Sequence, residues 1–253
     1  MRTSISQIPH PTKQRLLDAG LAMLLEHGYN DLGIQALLAA TATPKGSFYH
    51  HFKDKEDFAL RIIDQYMTHV HAGLDACLDD SSRLPLERVR RFFELTQRSY
   101  RKEGYMGCLL GGLGQELSGV SERFRRRIEA CFSEIAVRIA TCLEQAKQRG
   151  DIPADSDTRQ MASLLVDCWE GAALRSRLRG NGAPLKAMLD FYFNRLSRAD
   201  RIVENMRASE GVSNEAKSSS DRGRAGGLSR KPTMRAKDVK VSGPSRVLNM
   251  RGL

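Results

Sequence analysis

Several features that define other protein classes are missing from this 253-residue sequence. No run approaches the ~20 consecutive apolar residues that a membrane span requires, and the first ten residues lack the apolar core of a secretory signal. The apolar–polar alternation of half-buried strands is absent. The five cysteines are odd in number and include no CxxC pair, which argues against a disulfide framework or a zinc site. These absences predict an all-α, reduced, cytoplasmic protein with no membrane partner, metal or cofactor.

Catalytic signatures are missing as well. The sequence contains no HExxH motif and no Gly-rich phosphate loop that follows a strand. No Ser/His/Asp order is recognisable, and carboxylates are scattered along predicted helix faces. His69 and His71 lie two residues apart on a predicted helix and therefore point in different directions. The sequence thus predicts a binding protein and not an enzyme.

Positive charge is in excess and is unevenly distributed. Forty Lys and Arg outnumber 30 Asp and Glu, which gives a net charge of +10. Residues 204–253 hold 11 of the basic residues and 5 of the acidic ones, so they contribute +6 of that charge. This segment lacks aromatics and could not bury enough apolar surface to offset its ordering entropy. We predict a disordered basic tail there and a polyanionic partner for the protein.

Helical periodicity divides the remaining chain into about nine segments. Gly28, Gly104 and Gly150 mark the ends of segments, whereas Asp54 and Pro85 suit the starts of helices. Asn30-Asp31 is a candidate cap for the second helix. The predicted helices cover about residues 12–27, 33–40, 44–52, 55–78, 86–103, 122–148, 157–178 and 184–201, with a Gly-rich segment at 104–119.

The segment from Thr43 to Glu56 is the most informative part of the chain. Two helices, a tight turn and a short helix that opens with Pro and Lys form the layout of a helix-turn-helix DNA reader. Phe48 and Phe52, at i and i+4, are expected to face inward and hold the short helix on the core. The polar residues around them are expected to reach bases or phosphates. The predicted DNA-contacting set is Gln35, Thr43, Pro44, Lys45, Gly46, Ser47, Tyr49, His50 and Lys55.

A solvated charged turn between two helices would share this composition, but the complete string is more specific. Residues 12–58 resemble the N-terminal domain of the TetR family of transcriptional regulators, through Pro-Lys-Gly-Ser-Phe-Tyr-His-His-Phe followed by Lys-x-Lys-Glu. The chain departs from the family at Thr41-Ala42-Thr43, where Ala-Gly-Val is common. Ala at the left-handed turn position costs ~1 kcal/mol, and Thr43 is expected to bring a hydroxyl near the groove.

The resemblance implies a TetR-like architecture. Residues 1–11 would form an N-terminal arm, 12–58 the three-helix DNA-binding domain, 59–203 a helical ligand-binding and dimerisation domain, and 204–253 the tail. It also implies a homodimer on a pseudo-palindromic double-stranded operator, since one recognition helix reads only a few base pairs. The last two helices carry apolar faces wide enough for a dimer interface. Packing of some of these residues inside the subunit's own core is an equally good explanation.

A second unusual segment places six glycines among apolar residues between Gly104 and Gly119. Together with Trp169-Glu170 it resembles the branch of the TetR family that contains the acrylate-responsive repressor AcuR and the electrophile-sensing repressor NemR. In NemR-like proteins a cysteine of this segment senses redox agents or electrophiles, and Cys108 occupies the matching place. The resemblance implies a small-molecule effector site that includes Tyr105, Cys108, Trp169, Glu170, Arg175 and Arg177.

Three roles remain open for Cys108 at this point: a reactive sensor, part of a noncovalent ligand pocket, or a small buried hydrophobe. A helix that starts just after it would favour the thiolate. The sensing branch can pair its cysteine with a lysine, whereas this chain has Arg175 and Arg177 in that neighbourhood. An arginine binds a carboxylate bidentately, so the difference favours a small carboxylate or a simple adduct over an oxidation switch.

These expectations describe a DNA-binding repressor that a small effector releases from its operator by changing the spacing of two recognition helices. The helix from Asp54 to about Leu78 would join the two domains and carry the movement. The alternative is a nonspecific basic nucleic-acid-binding protein that depends on the tail. Removal of residues 204–253 distinguishes the two, since specific binding should survive and its salt dependence should fall.

Overall fold

The computed structural model describes residues 11–102, 104 and 107–194, and every regular element in that part of the chain is helical. This confirms the all-α fold predicted from the missing strand pattern. Eight helices are complete, and residues 183–194 form a ninth helical stretch, which we call α9. The complete helices are α1 (Pro11–His27), α2 (Ile34–Ala40), α3 (Lys45–His51), α4 (Lys55–Leu78), α5 (Pro85–Lys102), α6 (Leu109–Leu117), α7 (Glu122–Gln148) and α8 (Thr158–Arg179).

Side-chain caps explain where the long helices begin. Asp54 accepts a hydrogen bond from the backbone N–H of Asp57 at 2.7 Å, which confirms it as the N-cap of α4. Ser121 and Asp157 cap α7 and α8 in the same way. The expected cap at Asn30-Asp31 is wrong, because α2 begins after Gly33 without a side-chain hydrogen bond.

An aromatic cluster holds the first three helices on the start of α4. Phe48 of α3 and Phe52 at its C-cap are buried, as predicted, and their ring centroids lie 5.2 and 4.7 Å from that of Phe58 on α4. Gly20 lets α1 approach this cluster, since a Cβ at that position would lie 2.5 Å from the Cζ atom of Phe58. The short helix α3 is therefore fixed by its apolar side, which leaves its polar side outward.

Helices α4 to α8 surround the remainder of the core. Trp169 of α8 packs on two rings of α5, with centroid distances of 4.8 Å to Phe93 and 5.9 Å to Tyr100. α7 and α8 pack together through buried aliphatic residues such as Leu143 and Leu165. The N-terminal cluster and this part share one continuous set of buried residues, so α4 belongs to both.

Two further expectations concern the ends of the chain and membranes. The predicted basic tail at 204–253 lies outside the described residues, as do residues 1–10 of the predicted arm. Across the described helices, none has both the length and the apolar character to cross a bilayer.

Candidate DNA interface and ligand chamber

The short helix α3 presents its polar side chains to solvent. Lys45 and His50 are exposed, and 52% of the Tyr49 surface is accessible, while Ser47 is half-buried. Pro44 is the N-cap in an extended conformation, with φ −61° and ψ 145°, so the predicted opening of the helix is correct. Gln35 is exposed on the preceding helix α2. These residues form the outer surface that the sequence predicted for DNA.

Gly46 has no structural requirement inside the protein. A Cβ built on this residue would meet no atom within 4 Å, and Gly46 has no positive φ. Glycine lowers helix stability relative to alanine, so the fold of the subunit does not favour glycine over alanine at this exposed position.

The turn between α2 and α3 contains the strained alanine that the sequence predicted. Ala42 has φ 47° and is the one non-glycine residue with a positive φ among the described residues. The backbone N–H of Thr43 donates to the Leu38 carbonyl oxygen at 2.9 Å, and that of Ala42 donates to the Ala39 carbonyl oxygen at 3.2 Å. This is the hydrogen-bond pattern of a helix C-terminus that normally ends in glycine.

Thr43 faces the protein and not the groove. Its side chain is buried, and its hydroxyl donates to the Thr41 carbonyl oxygen at 3.2 Å. The same hydroxyl accepts a hydrogen bond from the Arg15 guanidinium at 3.4 Å. The expectation that Thr43 brings a free hydroxyl to DNA is therefore corrected, because the oxygen is used to link the turn to α1.

Lys55 also points inward, to the turn between α1 and α2. Its ammonium group donates to the Asn30 carbonyl oxygen at 3.2 Å and lies 4.5 Å from the centroid of the Tyr29 ring. Burial lowers the pKa of this lysine against the opposing effect of nearby carboxylates. In this arrangement Lys55 braces the domain and does not extend toward a phosphate, which corrects the role expected from its position in the sequence.

A cavity of about 290 Å³ lies between α4, α5, α6, α7 and α8, and we call it the inner chamber. No lysine or arginine is among the described residues that line it. Its volume suits a small ligand, and its wall is predominantly apolar, as is usual for small-molecule sites. Six aromatic rings contribute to the wall: Tyr66, Phe92, Phe93, Tyr100, Phe132 and Trp169.

Polar groups of four helices meet in the wall of the inner chamber. The Tyr66 hydroxyl of α4 lies 4.0 Å from the Cys108 sulfur, next to Tyr100 of α5 and Glu170 of α8. Burial raises the pKa of both tyrosines well above the usual range, so both hydroxyls keep their protons. Burial also raises the pKa of Glu170 to about 7, against the opposing effect of its hydrogen bond with the Cys108 thiol.

The structure corrects the predicted ionisation of Cys108. The residue is the N-cap of α6, so the helix start expected after it is confirmed. Burial nevertheless raises the pKa of the Cys108 thiol well above its ordinary value, and the charge of Glu170 raises it further. The N–H of Gly111 at the helix start lowers this pKa, but by less than burial raises it. Desolvation thus outweighs the helix dipole, and the resting state is the thiol.

A second cavity, of about 270 Å³, shares Gly107, Cys108 and Glu170 with the inner chamber, and we call it the vestibule. Arg177 lines the vestibule and passes close to Gly107, where a Cβ would lie 3.7 Å from the Cδ atom of the arginine. Arg175 lines neither cavity. Tyr105 lies outside the described residues. Of the predicted effector-site residues, Cys108 and Glu170 thus line both cavities, Trp169 lines the inner chamber, Arg177 lines the vestibule, and Arg175 lines neither.

Sequence reasoning did not find most of the chamber wall. Tyr66 and Tyr100 were visible only as members of amphipathic helices, a pattern that predicts ordinary core equally well. Their meeting with Cys108 depends on how α4, α5 and α6 pack. Over residues 11–102, 104 and 107–194, no group of three or more His, Cys, Asp or Glu side chains is arranged to hold a metal ion.

Helix α6 connects the inner chamber with the DNA-binding domain. It begins after Cys108, and Glu116 near its other end accepts hydrogen bonds from the backbone N–H groups of Tyr29 and Asn30, at 2.8 and 3.2 Å. Gly28 makes room for this contact, since a Cβ there would lie 2.0 Å from a Glu116 oxygen. The same glycine has φ 78°, so both space and conformation require it.

Two descriptions of known families match this chain. Residues 16–62 match the bacterial regulatory proteins of the tetR family, and residues 85–192 match the tetracyclin repressor-like C-terminal domain. The chain belongs to the TetR family. This confirms the resemblance found in the helix-turn-helix string, and it shows that the larger helical part belongs to the same family.

Relatives within the TetR family include both regulators of the expected branch. The transcriptional regulator AcuR of Cereibacter sphaeroides is 37% identical over 173 residues, covering 68% of this chain and 79% of the relative. The transcriptional repressor NemR of Escherichia coli is 26% identical over 181 residues, covering 71% and 91%. A regulatory protein TetR from Rhodobacter sphaeroides has a similar structure, with a TM-score of 0.70, 34% identity and coverage of 73% and 98%.

Membership of the TetR family decides the class of function. The protein is a DNA-binding transcriptional regulator and not an enzyme. TetR-family repressors bind operator DNA and act as dimers. The HTH-type transcriptional repressor DhaR of a Mycobacterium species is a further relative, 29% identical over 195 residues and aligned over 97% of its own length.

Proposed function

We propose that this protein is a dimeric repressor that leaves its operator when a small effector occupies the inner chamber. The observation that carries the proposal is that two helices reach from this chamber to the DNA-binding domain. α4 starts beside α3 and later lines the chamber with Tyr66 and Val70. α6 starts at the chamber and binds the turn after α1 through Glu116. A ligand that shifts either helix changes the position of α3.

On the DNA side, the exposed edge of α3 supports a set of contacts in the major groove. We propose that Lys45, Ser47, Tyr49 and His50 contact bases or phosphates and that Gly46 allows the backbone to approach. Pro44 and Gln35 lie on the same exposed surface and complete the set. Thr43 and Lys55 act indirectly, by fixing the turns that hold α3.

On the effector side, two chemical classes fit the residues that meet at Cys108. An electrophile that adds to the Cys108 sulfur is supported by the presence of this thiol in the walls of both cavities. A small carboxylate such as acrylate is supported by Arg177 in the vestibule. Trp169 forms part of the inner chamber wall for either class of effector. The raised pKa of Cys108 favours effectors that first bind noncovalently.

A homodimer is supported by an exposed apolar stripe on α8. Leu164, Leu174 and Leu178 are exposed on this helix, where a two-fold partner would cover them. Other residues expected for the dimer face, such as Leu165 and Leu185, are buried inside the subunit. A pair of subunits would hold two α3 helices for half-sites about one helical turn apart on a pseudo-palindromic operator.

The proposed division of labour follows the sequence-based domains, with residues 12–58 for DNA and 59–203 for ligand and dimer contacts. We propose that residues 204–253 add nonspecific attraction to the duplex through their net charge of +6. Removal of this segment is expected to preserve operator recognition and to reduce the salt dependence of binding. A bacterial regulator of this kind would act in the cytoplasm.

The decisive experiment is a titration of a labelled duplex taken from the DNA that flanks the protein's own gene. Fluorescence anisotropy gives operator affinity at a fixed salt concentration, with and without acrylate or N-ethylmaleimide. We expect nanomolar-range binding that weakens at least tenfold with an active effector. An operator affinity that stays constant across a broad panel of electrophiles and carboxylates would remove the effector-release part of the proposal.

A further inference from the structure

The inner chamber contains a carboxylate without a cationic partner. Glu170 makes no ion pair with any of the described lysine, arginine or histidine side chains. Its carboxylate is hydrogen-bonded with the Cys108 thiol and is influenced by the charge of Asp167 on its own helix. A buried charge without a counterion is costly. A site that keeps such a group is expected to use it in recognition.

Local structure around Glu170 is arranged to keep the carboxylate in this position. Gly111 of α6 faces it directly, and a Cβ on that glycine would lie 2.3 Å from a Glu170 oxygen. Any larger residue at position 111 would displace the carboxylate from Cys108. The glycine therefore provides the space in which the acid sits between the inner chamber and the vestibule.

The charged and titratable groups around this carboxylate set the electrostatic character of the chamber. They are Tyr66 and His69 of α4, Tyr100 of α5, Cys108 of α6, and Asp167 and Arg177 of α8, while α7 contributes apolar residues. Arg177 lines only the vestibule. An anion inside the inner chamber would thus meet Glu170, while the described wall has no lysine or arginine to offset the repulsion and has His69 as its one basic side chain.

We propose that Glu170 makes the inner chamber select uncharged carbonyl compounds over their carboxylate counterparts. This inference rests on the proposed function and deepens it, since it chooses between two effector classes. The Tyr66 and Tyr100 hydroxyls donate to a carbonyl oxygen, and the aromatic wall holds the apolar body of the ligand. A carboxylate in the same place is repelled by Glu170 at short range in a region with little water.

Trp169 allows occupancy to be measured without DNA, because it is the single tryptophan of the chain and lines the inner chamber. The probes are 3-phenylpropanamide and 3-phenylpropanoate, which have the same apolar body and differ in the charge of the head group. Neither reacts with a thiol. Both are titrated into the full-length protein at pH 8 and equal ionic strength, and the change in Trp169 fluorescence gives the two dissociation constants.

For the wild-type protein we expect the amide to bind at least about tenfold more tightly than the carboxylate. Glu170→Gln is expected to strengthen carboxylate binding and to reduce the ratio to about threefold or less. Glu129→Gln is the matched control, because it removes an exposed acid that lines neither cavity. It is expected to leave the ratio close to that of the wild type.

Three results would overturn this inference: equal affinities for the two probes in the wild-type protein, an unchanged ratio in Glu170→Gln, or no fluorescence response to either probe. The proposed function fails in a different way. If 3-phenylpropanamide occupies the chamber with the expected selectivity over the carboxylate but operator affinity stays constant with every uncharged carbonyl compound tested, charge selection stands and effector-driven release does not.

Discussion

The carboxylate of Glu116 lies 2.8 Å from the backbone nitrogen of Tyr29, a residue 87 positions earlier in the chain. The same carboxylate reaches the nitrogen of Asn30 at 3.2 Å. One acidic side chain on α6 thus satisfies two N–H groups of the turn that follows α1. Because α6 begins at the chamber, we expect a displacement of that helix to reach the DNA-binding domain through this contact.

Glu116→Ala is expected to weaken the response to effector more than it weakens DNA binding. Loss of charge-assisted hydrogen bonds from a half-buried carboxylate also lowers stability by about 1–2 kcal/mol. The measurement is operator affinity with and without effector, by anisotropy. We expect the effector-induced change in affinity to fall at least fivefold. Glu129→Ala is the control, since Glu129 is exposed on α7 and accepts a hydrogen bond from Ser133 of the same helix. A normal response in Glu116→Ala would exclude this coupling.

The link between Glu116 and Tyr29 also shows where sequence reasoning stops. Helix ends depend on neighbouring residues, so the N-cap at Asp54, the start of α5 at Pro85 and the span of α7 could be predicted from the sequence. Asn30-Asp31 carried the same capping signal but does not cap α2. The N–H groups of this turn are bound by Glu116, and no local pattern encodes that contact.

The ionisation state of Cys108 in the inner chamber could not be predicted from the sequence either. Cys108 could be placed at a helix start from the order of residues, and the helix dipole then favours a thiolate. The structure instead favours the thiol, because burial and the charge of Glu170 raise the pKa of Cys108. Glu170 lies 62 positions later in the sequence, and only the packing of the helices brings it next to Cys108. The strained Ala42 was predictable because the turn type and its glycine requirement are local.

Ala42→Gly is expected to stabilise the protein. Ala42 adopts φ 47°, and glycine removes the strain of an L-residue in that conformation, which is worth up to about 1 kcal/mol. Thermal unfolding should therefore shift upward by a few degrees, with operator affinity retained. Ala39→Gly provides an opposite-sign control, because Ala39 lies in α2 and glycine in a helix interior costs about 1 kcal/mol. A lower melting temperature for Ala42→Gly would show that the turn is not strained.

Gly46→Ala should separate folding from DNA binding. No atom lies within 4 Å of a Cβ at this position, and alanine is the better helix former by roughly 0.5–1 kcal/mol. The variant should fold at least as stably as the wild type while operator affinity falls about tenfold or more. Gly112→Ala is the matched control for DNA binding in the absence of effector, since position 112 is equally open and lies on α6 in the wall of the vestibule. Unchanged DNA binding in Gly46→Ala would mean that the duplex does not approach this face of α3.

Glu170 is expected to make stability depend on pH. Burial raises its pKa from 4.5 in the unfolded chain to about 7 in the folded protein. Between these values the folded state retains a proton that the unfolded state has released, so this group lowers stability as pH rises from about 4.5 to 7. Glu170→Gln removes the effect. Urea unfolding should show little difference between the two proteins at pH 4.5 and a more stable variant at pH 8, by on the order of 2 kcal/mol. Equal stability at both pH values would contradict the raised pKa.

Leu178→Glu is expected to break the proposed dimer without unfolding the subunit. Leu178 is 69% exposed on α8, so a charge there costs little in an isolated subunit. In a two-fold interface along α8 the same charge would be buried next to its own copy, which is strongly unfavourable. Sedimentation analysis should show a shift toward monomer, and operator affinity should fall by at least tenfold because one subunit reads only a half-site. Val137→Glu is the control, since Val137 is 65% exposed on α7. If Leu178→Glu remains a dimer with normal operator affinity while circular dichroism shows a folded protein, the contact between subunits does not run along this stripe.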